Sequence, residues 1–248
     1  MTRQADRHIR RLLDAGLIER GMVWYESEQG YPYPSPYNQI TAKGAQVLEQ
    51  AGLPVRFKSH RKDKGQDAAR HALEISRFYV ALQRACWWLG AELSLWYDDR
   101  QLAALDTSST LLENVPDAFF VVEYQGRTYS HFFEADRGTE TLVSEKGRKS
   151  DLLTKFTRYG RHIKDGFLES PFFDGLPRPI VLTVTTGGER RMQEMMATAT
   201  KAGGAGSYWF ATAAELYADK QAESFWRELW HVSDGVSCRS LRTRLELS

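Results

Sequence analysis

The sequence PDAFFVVEYQGRTYSHFFEAD, residues 116–136, decides the fold of the larger part of the chain. Two runs rich in Phe, Val and Tyr flank Gln125-Gly126, and this pattern predicts a β-hairpin with a tight turn at that pair. Asp117 opens the first predicted strand, and Glu134 and Asp136 close the second. Because side chains two positions apart on a strand point to the same face, the three acids are expected to converge at one end of the hairpin.

A carboxylate cluster of this kind predicts a metal site. Mg²⁺, or Mn²⁺ in its place, prefers oxygen ligands and is usually held by one or two carboxylates together with substrate phosphate. An ion bound there could activate water and neutralise a phosphodiester during its hydrolysis. A second interpretation stays open, in which Asp136 caps the following turn and Arg137 pairs with Glu140.

Helical and strand periodicities alternate outward from the hairpin. Upstream, an apolar stripe predicts a long helix over residues 66–89, and ELSLWY predicts a strand. Downstream, the patterns predict a basic helical region, a buried strand, a helix, a strand and a final helix, in LVSEKGRKSDLLTKFTRYGRHIKDGFL, RPIVLTVTT, ERRMQEMMATATKA, SYWFAT and ADKQAESFWRELWHV. This order predicts a mixed sheet with helices on both faces, in the α/β or α+β class.

The beginning of the chain predicts an amphipathic helix with a cationic side. Ala5, Ile9 and Leu13 share one side with Leu12, and Gly16 ends the helix. The arginines near the opposite side are Arg3, Arg7, Arg10 and Arg11. Such arginines either contact DNA or form a solvated helix face, as most runs of charge do.

A hairpin and a second helix are predicted next. A strand at residues 22–26 precedes QGYPYPSPYNQ, whose three prolines predict irregular chain until Ile40. Strand, loop and returning strand then form a hairpin. Thr41 is expected to be the N-cap of a helix that Gly52 stops.

Charge divides the chain into two parts. The formal net charge is only +1, yet residues 1–64 carry 11 Lys or Arg against 7 Asp or Glu, and the remainder carries 22 against 25. The polar, mostly basic stretch 57–67 predicts a linker between an N-terminal unit at 1–56 and a C-terminal domain at 68–248. The segment 145–165 has seven Lys or Arg and three acids, and it predicts a second contact with the DNA backbone.

Composition narrows the class of protein further. The two cysteines, Cys86 and Cys238, show no pairing pattern, which favours a reducing compartment. No apolar run approaches the ~20 residues of a membrane span, and the first residues lack the apolar core of a signal peptide. We therefore expect a soluble, cytoplasmic protein.

The order helix, glycine turn, hairpin and capped helix resembles a winged helix-turn-helix from its recognition helix onward. The resemblance implies that the arginines of the first helix and Lys43 grip double-stranded DNA, with the Tyr- and Pro-rich wing assisting. The two helices that usually precede the recognition helix do not precede Arg3. Dimerisation that covers the stripe of Ala5, Ile9 and Leu13 is the expected compensation.

Pro116-Asp117 followed by Glu134-Ala135-Asp136 after a hairpin resembles the PD-(D/E)xK nuclease superfamily. In that family two acids bind metal, and a lysine two positions after the second acid orients or activates the attacking water. This sequence has Asp136 at the lysine position. The resemblance thus implies metal ligands at Asp117, Glu134 and Asp136, with the cationic role left to Lys155 or Arg158 on the following basic helix.

The whole arrangement resembles the replication-relaxation family of plasmids and other mobile elements, most specifically in EADRGTE with Lys155 and Tyr159 downstream. The resemblance implies DNA handling. We expect a homodimeric DNA-binding protein with a degenerate nuclease-like domain, in which Arg158 adds a backbone contact. A Mg²⁺-dependent DNA endonuclease is the alternative, and a protein-interaction module that uses the first helix and the C-terminal tryptophans is the third.

Overall fold

A computed structural model describes residues 3–26, 31–53, 65–105, 115–143, 151–166, 173–204, 206–218, 223–233 and 238–241. The chain forms two compact units, Met1–Leu73 and Glu74–Ser248, and the boundary between them falls inside a long helix. Most of the expected linker, residues 57–64, lies outside the described residues. None of the described helices is long and apolar enough to cross a membrane.

The first unit contains two short helices, a two-stranded antiparallel sheet and the start of the long helix. Its elements are α1 (Arg3–Asp14), β1 (Ile18–Glu26), β2 (Pro32–Ile40), α2 (Ala42–Gln50) and the first turns of α3 (Gln66–Leu89). Gly16, with a φ of +67°, follows α1 at the predicted end of that helix. The Thr41 hydroxyl accepts a hydrogen bond from the Gly44 amide at 3.1 Å and caps α2, as expected.

The hairpin of the first unit is more regular than its sequence predicts. β2 runs through three prolines at every second position, so the prediction of irregular chain is wrong. The Trp24 amide on β1 donates to the Gln66 side chain at 3.1 Å, which shows that it points away from β2. Pro34 lies opposite Trp24. The prolines therefore occupy positions whose amides would not join the ladder, and no hydrogen bond between the strands is lost.

The second unit is built on a mixed sheet, as predicted, and its described residues form seven strands in place of the five expected. Its strands follow the order β3-β4-β5-β6-β7-β8-β9, with β5, β6 and β7 parallel to one another and the other neighbours antiparallel. The elements after α3 are β3 (Glu92–Asp98), α4 (Asp99–Leu105), β4 (Ala118–Tyr124), β5 (Arg127–Asp136), α5 (Leu152–Arg161), a π-helix (His162–Gly166), β6 (Ile180–Thr185), α6 (Gly188–Lys201), β7 (Tyr208–Thr212), α7 (Ala213–Leu216), a 3₁₀-helix (Glu223–Trp226), β8 (Glu228–Val232) and β9 (Cys238–Ser240).

The hairpin of β4 and β5 forms where the sequence predicts it. Gln125 and Gly126 have φ values of 51° and 76°, the left-handed pair of a two-residue turn. Ala118 on β4 lies opposite Phe133 on β5. The next residues along these strands, Asp117 and Glu134, are therefore brought side by side at the open end of the hairpin.

Apolar side chains cover both faces of the sheet. On one face Phe78 of α3 stacks on Phe133, with ring centroids 3.7 Å apart. On the other face Phe132 packs in a cluster with Phe156 of α5 and Met195 of α6. Adjacent residues of one strand thus serve opposite cores, and Glu134 lies on the same face as Phe132, beneath α5.

The expected final helix at residues 218–232 is wrong. The described residues from 223 onward form a short 3₁₀-helix and then β8, which pairs with β7 through Trp209 and Val232. Trp226 and Trp230 are four residues apart, a spacing typical of a helix. However, Trp230 and Val232 are buried while Leu229 and His231 are half-buried, and this alternation fits a strand that pairs with its neighbour.

Candidate functional site around Glu134

Asp117 is held at the open end of the β4–β5 hairpin. One of its carboxylate oxygens, Oδ2, accepts a hydrogen bond from the Ala135 amide at 2.8 Å. This bond fixes Asp117 against the end of β5. Asp117 is close enough to Glu134 for its charge to raise the pKa of Glu134. Burial and Lys155 have larger effects on that pKa.

Glu134 is the buried acid of the site. Its Oε2 lies 2.5 Å from the Lys155 Nζ, and the Tyr159 hydroxyl donates to its Oε1. Lys155 and Tyr159 are four residues apart on α5, so they share one face of the helix and reach the same carboxylate. Asp151 caps α5 by accepting from the Thr154 amide at 2.8 Å, and it sets the start of the helix one turn before Lys155.

The electrostatics follow from burial and from the ion pair. Burial raises the pKa of Glu134 to about 7, although Lys155 and Tyr159 favour its charged form. Burial lowers the pKa of Lys155, but the opposing effect of Glu134, supported by Glu140 and Asp117, leaves it above its usual range. Glu140 Oε1 lies 3.7 Å from the Lys155 Nζ. Burial and Glu134 together raise the pKa of Tyr159, so that its hydroxyl remains a donor.

Asp136 belongs to a second, separate ion pair. Arg191 of α6 donates to both of its oxygens, at 2.9 and 3.2 Å, and also donates to the Glu140 carbonyl at 2.8 Å. The Thr185 hydroxyl donates to Asp136 at 2.6 Å, and the Gly138 amide donates at 3.1 Å. The bond from Gly138 is the turn cap that the second interpretation of these acids predicts. The Glu140 carboxylate lies near the Lys155 ammonium.

The structure thus brings two of the three predicted acids together with the predicted lysine. Asp117, Glu134 and Lys155 form one cluster, whereas Asp136 is bound to Arg191. Over the described residues, no group of three or more His, Cys, Asp or Glu side chains is placed to hold a metal ion. Protein donors contact both oxygens of Glu134 and both oxygens of Asp136.

Sequence reasoning missed Arg191 and Thr185, and it gave no role to Tyr159. Arg191 is 55 residues from Asp136 in sequence, and no local pattern connects the two. The spacing of four from Lys155 was the available signal for Tyr159, since it places the hydroxyl on the same helix face.

The basic side of α1 lies in the first unit. Arg7, Arg10 and Arg11 are exposed to solvent, and the side chain of Arg3 lies outside the described residues. Lys43 donates to the Ala15 carbonyl at 2.8 Å, so its ammonium lies at the C-terminal end of α1, where the helix dipole favours a cation.

The other predicted contact residues have varied surroundings. Arg158 on α5 is half-buried and interacts with its neighbours. Arg161 and Lys164 on the same helical region are exposed, whereas residues 145–150 of the predicted basic segment lie outside the described residues. The tryptophans expected to form an interface, Trp226 and Trp230, are buried in the core of the second unit.

Comparison with known proteins identifies a family for the larger part of the chain. A family described as replication-relaxation matches residues 2–171, which is more than half of the chain. The matched segment contains α1, the hairpin of the first unit and the cluster of Asp117, Glu134 and Lys155. No curated protein and no solved structure matches the chain.

Proposed function

The chain belongs to the replication-relaxation family, and we propose that it binds double-stranded DNA in the replication or relaxation of a plasmid or other mobile element. The observation that carries the proposal is the exposed arginine face of α1, which lies inside the segment that the family matches.

The dimensions of α1 suit a DNA groove. Its 12 residues make a rod about 18 Å long, and an α-helix fits the major groove of B-form DNA, which is about 12 Å wide. Arg7, Arg10 and Arg11 are three and four positions apart, so their guanidinium groups project from neighbouring turns on one side. Arginines in this arrangement support contacts with phosphates on both edges of the groove.

The hairpin and the second unit are proposed to assist. The hairpin that follows α1 takes the place of the wing in a winged helix, and it exposes Trp24 and Tyr33 by almost half of their surfaces. In the second unit, Arg161 and Lys164 are exposed on the helical segment that carries Lys155. We propose that they contact the sugar–phosphate backbone, while the nuclease-like site itself does not cleave.

DNA binding is tested by fluorescence anisotropy with a labelled duplex over a range of salt concentrations. The variant changes Arg3, Arg7 and Arg10 to Ala together. Each phosphate contact adds about 0.9 to the slope of log affinity against log salt, so loss of all three lowers the slope by roughly three units and weakens binding strongly at low salt.

The matched control removes three other exposed arginines, Arg127, Arg190 and Arg227, all in the second unit. It lowers the net charge equally, and we expect it to keep most of the affinity and the slope. If the α1 variant keeps the wild-type affinity and slope, the arginine face is not a DNA contact.

A Mg²⁺-dependent DNA endonuclease is the second candidate, because Asp117, Glu134 and Lys155 are the residue types that phosphodiester hydrolysis uses and they lie together. Cleavage of an end-labelled duplex in Mg²⁺ or Mn²⁺ tests it. A nuclease loses cleavage on Glu134→Ala and on Lys155→Ala and keeps it on Arg190→Ala, since Arg190 is almost fully exposed.

A further inference from the structure

Each of the two acids at the end of β5 has a cation of its own. Glu134 is paired with Lys155 at 2.5 Å, and Asp136 is paired with Arg191 at 2.9 Å. The acids are buried, and the two cations are largely so, with 21% of the Lys155 side chain and 12% of the Arg191 side chain exposed. The partners come from two different helices, α5 and α6, which pack on the same face of the sheet.

We propose that Lys155 and Arg191 are the resident cations of this site and that they keep divalent metal ions off Glu134 and Asp136. Mg²⁺ and Mn²⁺ bind carboxylate oxygens whose lone pairs are available, in near-octahedral geometry. Here Lys155 and Tyr159 of α5 each donate to one oxygen of Glu134, and the Lys155 ammonium holds a positive charge where a metal ion would lie. On Asp136, Thr185 adds its hydroxyl to the two bonds from Arg191.

Displacing these cations is costly. A divalent ion that bound Glu134 would separate the largely buried Lys155 ammonium from its nearest carboxylate, and breaking a buried ion pair destabilises a folded protein. A further hydrogen bond holds Arg191 in place, because the guanidinium nitrogen that donates to Asp136 also donates to the Glu140 carbonyl. Asp117, the third of the predicted metal ligands, supplies one carboxylate, too few to hold a hard cation firmly without substrate phosphate.

This inference does not rest on DNA binding. It holds whether or not α1 contacts DNA. The competition between Lys155 and a metal ion for one carboxylate can be measured in the absence of nucleic acid.

The test is a Mn²⁺ titration of the full chain at pH 8. The electron paramagnetic resonance signal of free Mn²⁺ measures binding, and thermal unfolding measures the Tm. The wild type is compared with Lys155→Met, with Lys155→Met/Glu134→Gln, and with Lys164→Met as a control for loss of an exposed lysine. We expect Lys155→Met to bind Mn²⁺ at least tenfold more tightly than the wild type. Mn²⁺ then raises its Tm, because a ligand that binds the folded state stabilises it.

The double variant should lose this gain, and Lys164→Met should behave as the wild type. If Lys155→Met does not fold, the comparison of the wild type with Glu134→Gln tests the proposal by itself. The proposal predicts equally weak Mn²⁺ binding by these two proteins. Wild-type binding at least as tight as that of Lys155→Met, or wild-type binding that Glu134→Gln abolishes, overturns the proposal.

Discussion

The carboxyl group of Glu134 is buried inside the second unit, where Lys155 and Tyr159 of α5 donate to its two oxygens. Burial disfavours its charged form and raises its pKa to about 7, while Lys155 and Tyr159 act against this shift. The charge on this residue therefore depends on pH near neutrality, unlike that of an ordinary surface glutamate.

The stability of the protein should reflect this shift. Since the folded-state pKa of Glu134, about 7, lies above the ordinary value of 4.5, the folded protein binds this proton more tightly than the unfolded chain. The stabilisation is complete below about pH 4.5 and disappears as the pH rises through 7, a change on the order of 3 kcal/mol. Denaturant unfolding of the wild type and of Glu134→Gln at several pH values measures the difference.

Glu134→Gln should lack this contribution, so the stability of the wild type relative to the variant falls between pH 4.5 and pH 8. Glu189→Gln, which changes an exposed acid on α6, should follow the wild type at every pH. Parallel pH profiles for the wild type and Glu134→Gln would contradict the assignment of this titration to Glu134.

Asp136 and Arg191 give a second prediction. Because this ion pair is buried, Asp136→Ala should lower the free energy of unfolding by about 3–5 kcal/mol, since it leaves the guanidinium uncompensated. Asp136→Ala/Arg191→Met should recover part of that loss. Arg190→Ala breaks the neighbouring exposed pair with Glu194 and should cost less than about 1 kcal/mol in the same urea titrations.

If Asp136 were instead an unpaired metal ligand, its removal in metal-free buffer would relieve repulsion between carboxylates. Asp136→Ala would then be as stable as the wild type or more so. That result would show that the bond to Arg191 contributes little.

The sequence predicts contacts between individual residues when both residues belong to one hairpin or one helix. Asp117 and Glu134 meet because a hairpin brings its ends together, whereas Lys155 is indicated only by the resemblance to a nuclease motif whose lysine position is taken by Asp136. The bond between Asp136 and Arg191 could not be predicted, because it joins the end of β5 to α6 through packing that no local pattern encodes.

The hairpin of the first unit shows how the position of proline in an element decides its effect. The amide of Trp24 and the carbonyl of Met22 bond to the Gln66 side chain and point away from β2. The residue between them, Val23, must direct its own groups towards Ser35, its partner on β2. Proline is tolerated at Pro34 and Pro36 but should not be tolerated at Ser35.

Ser35→Pro should therefore destabilise the first unit by roughly 1–3 kcal/mol, because the carbonyl of Val23 loses its partner. Pro36→Ala should change stability by less than about 1 kcal/mol. Amide hydrogen exchange of β1 and β2 measures both, with accelerated exchange expected in Ser35→Pro alone. Equal effects of the two substitutions would mean that the outward orientation of the prolines is wrong.

Most helices and strands could be predicted from their periodicity, and two of the errors, one in each unit, have clear physical reasons. The prolines of β2 suggest irregular chain unless one notes that they lie at every second position, so that all of them lack an amide on the same edge of the strand. The C-terminal segment carries Trp226 and Trp230 at a spacing compatible with both a helix and a strand, and pairing with β7 decides in favour of the strand.

At the scale of the whole molecule, the near-zero net charge conceals two different parts. Residues 1–64 carry an excess of basic residues, and the remainder carries an excess of acids. The family match, residues 2–171, includes the arginine helix and the cluster around Glu134, whereas α6 with Arg191 lies beyond it. These features support the proposal that the first unit binds DNA while the acids of the second unit are paired internally.

The most direct test of this account is incubation of the full chain with supercoiled plasmid in millimolar Mg²⁺ or Mn²⁺, with Glu134→Ala alongside. Gel electrophoresis, run before and after removal of the protein, separates binding from cleavage. We predict a salt-sensitive mobility shift for both proteins and plasmid that remains supercoiled after the protein is removed. Conversion of the plasmid to open circles by the wild type but not by Glu134→Ala would contradict the account in favour of an endonuclease, and absence of both shift and cleavage would contradict DNA binding itself.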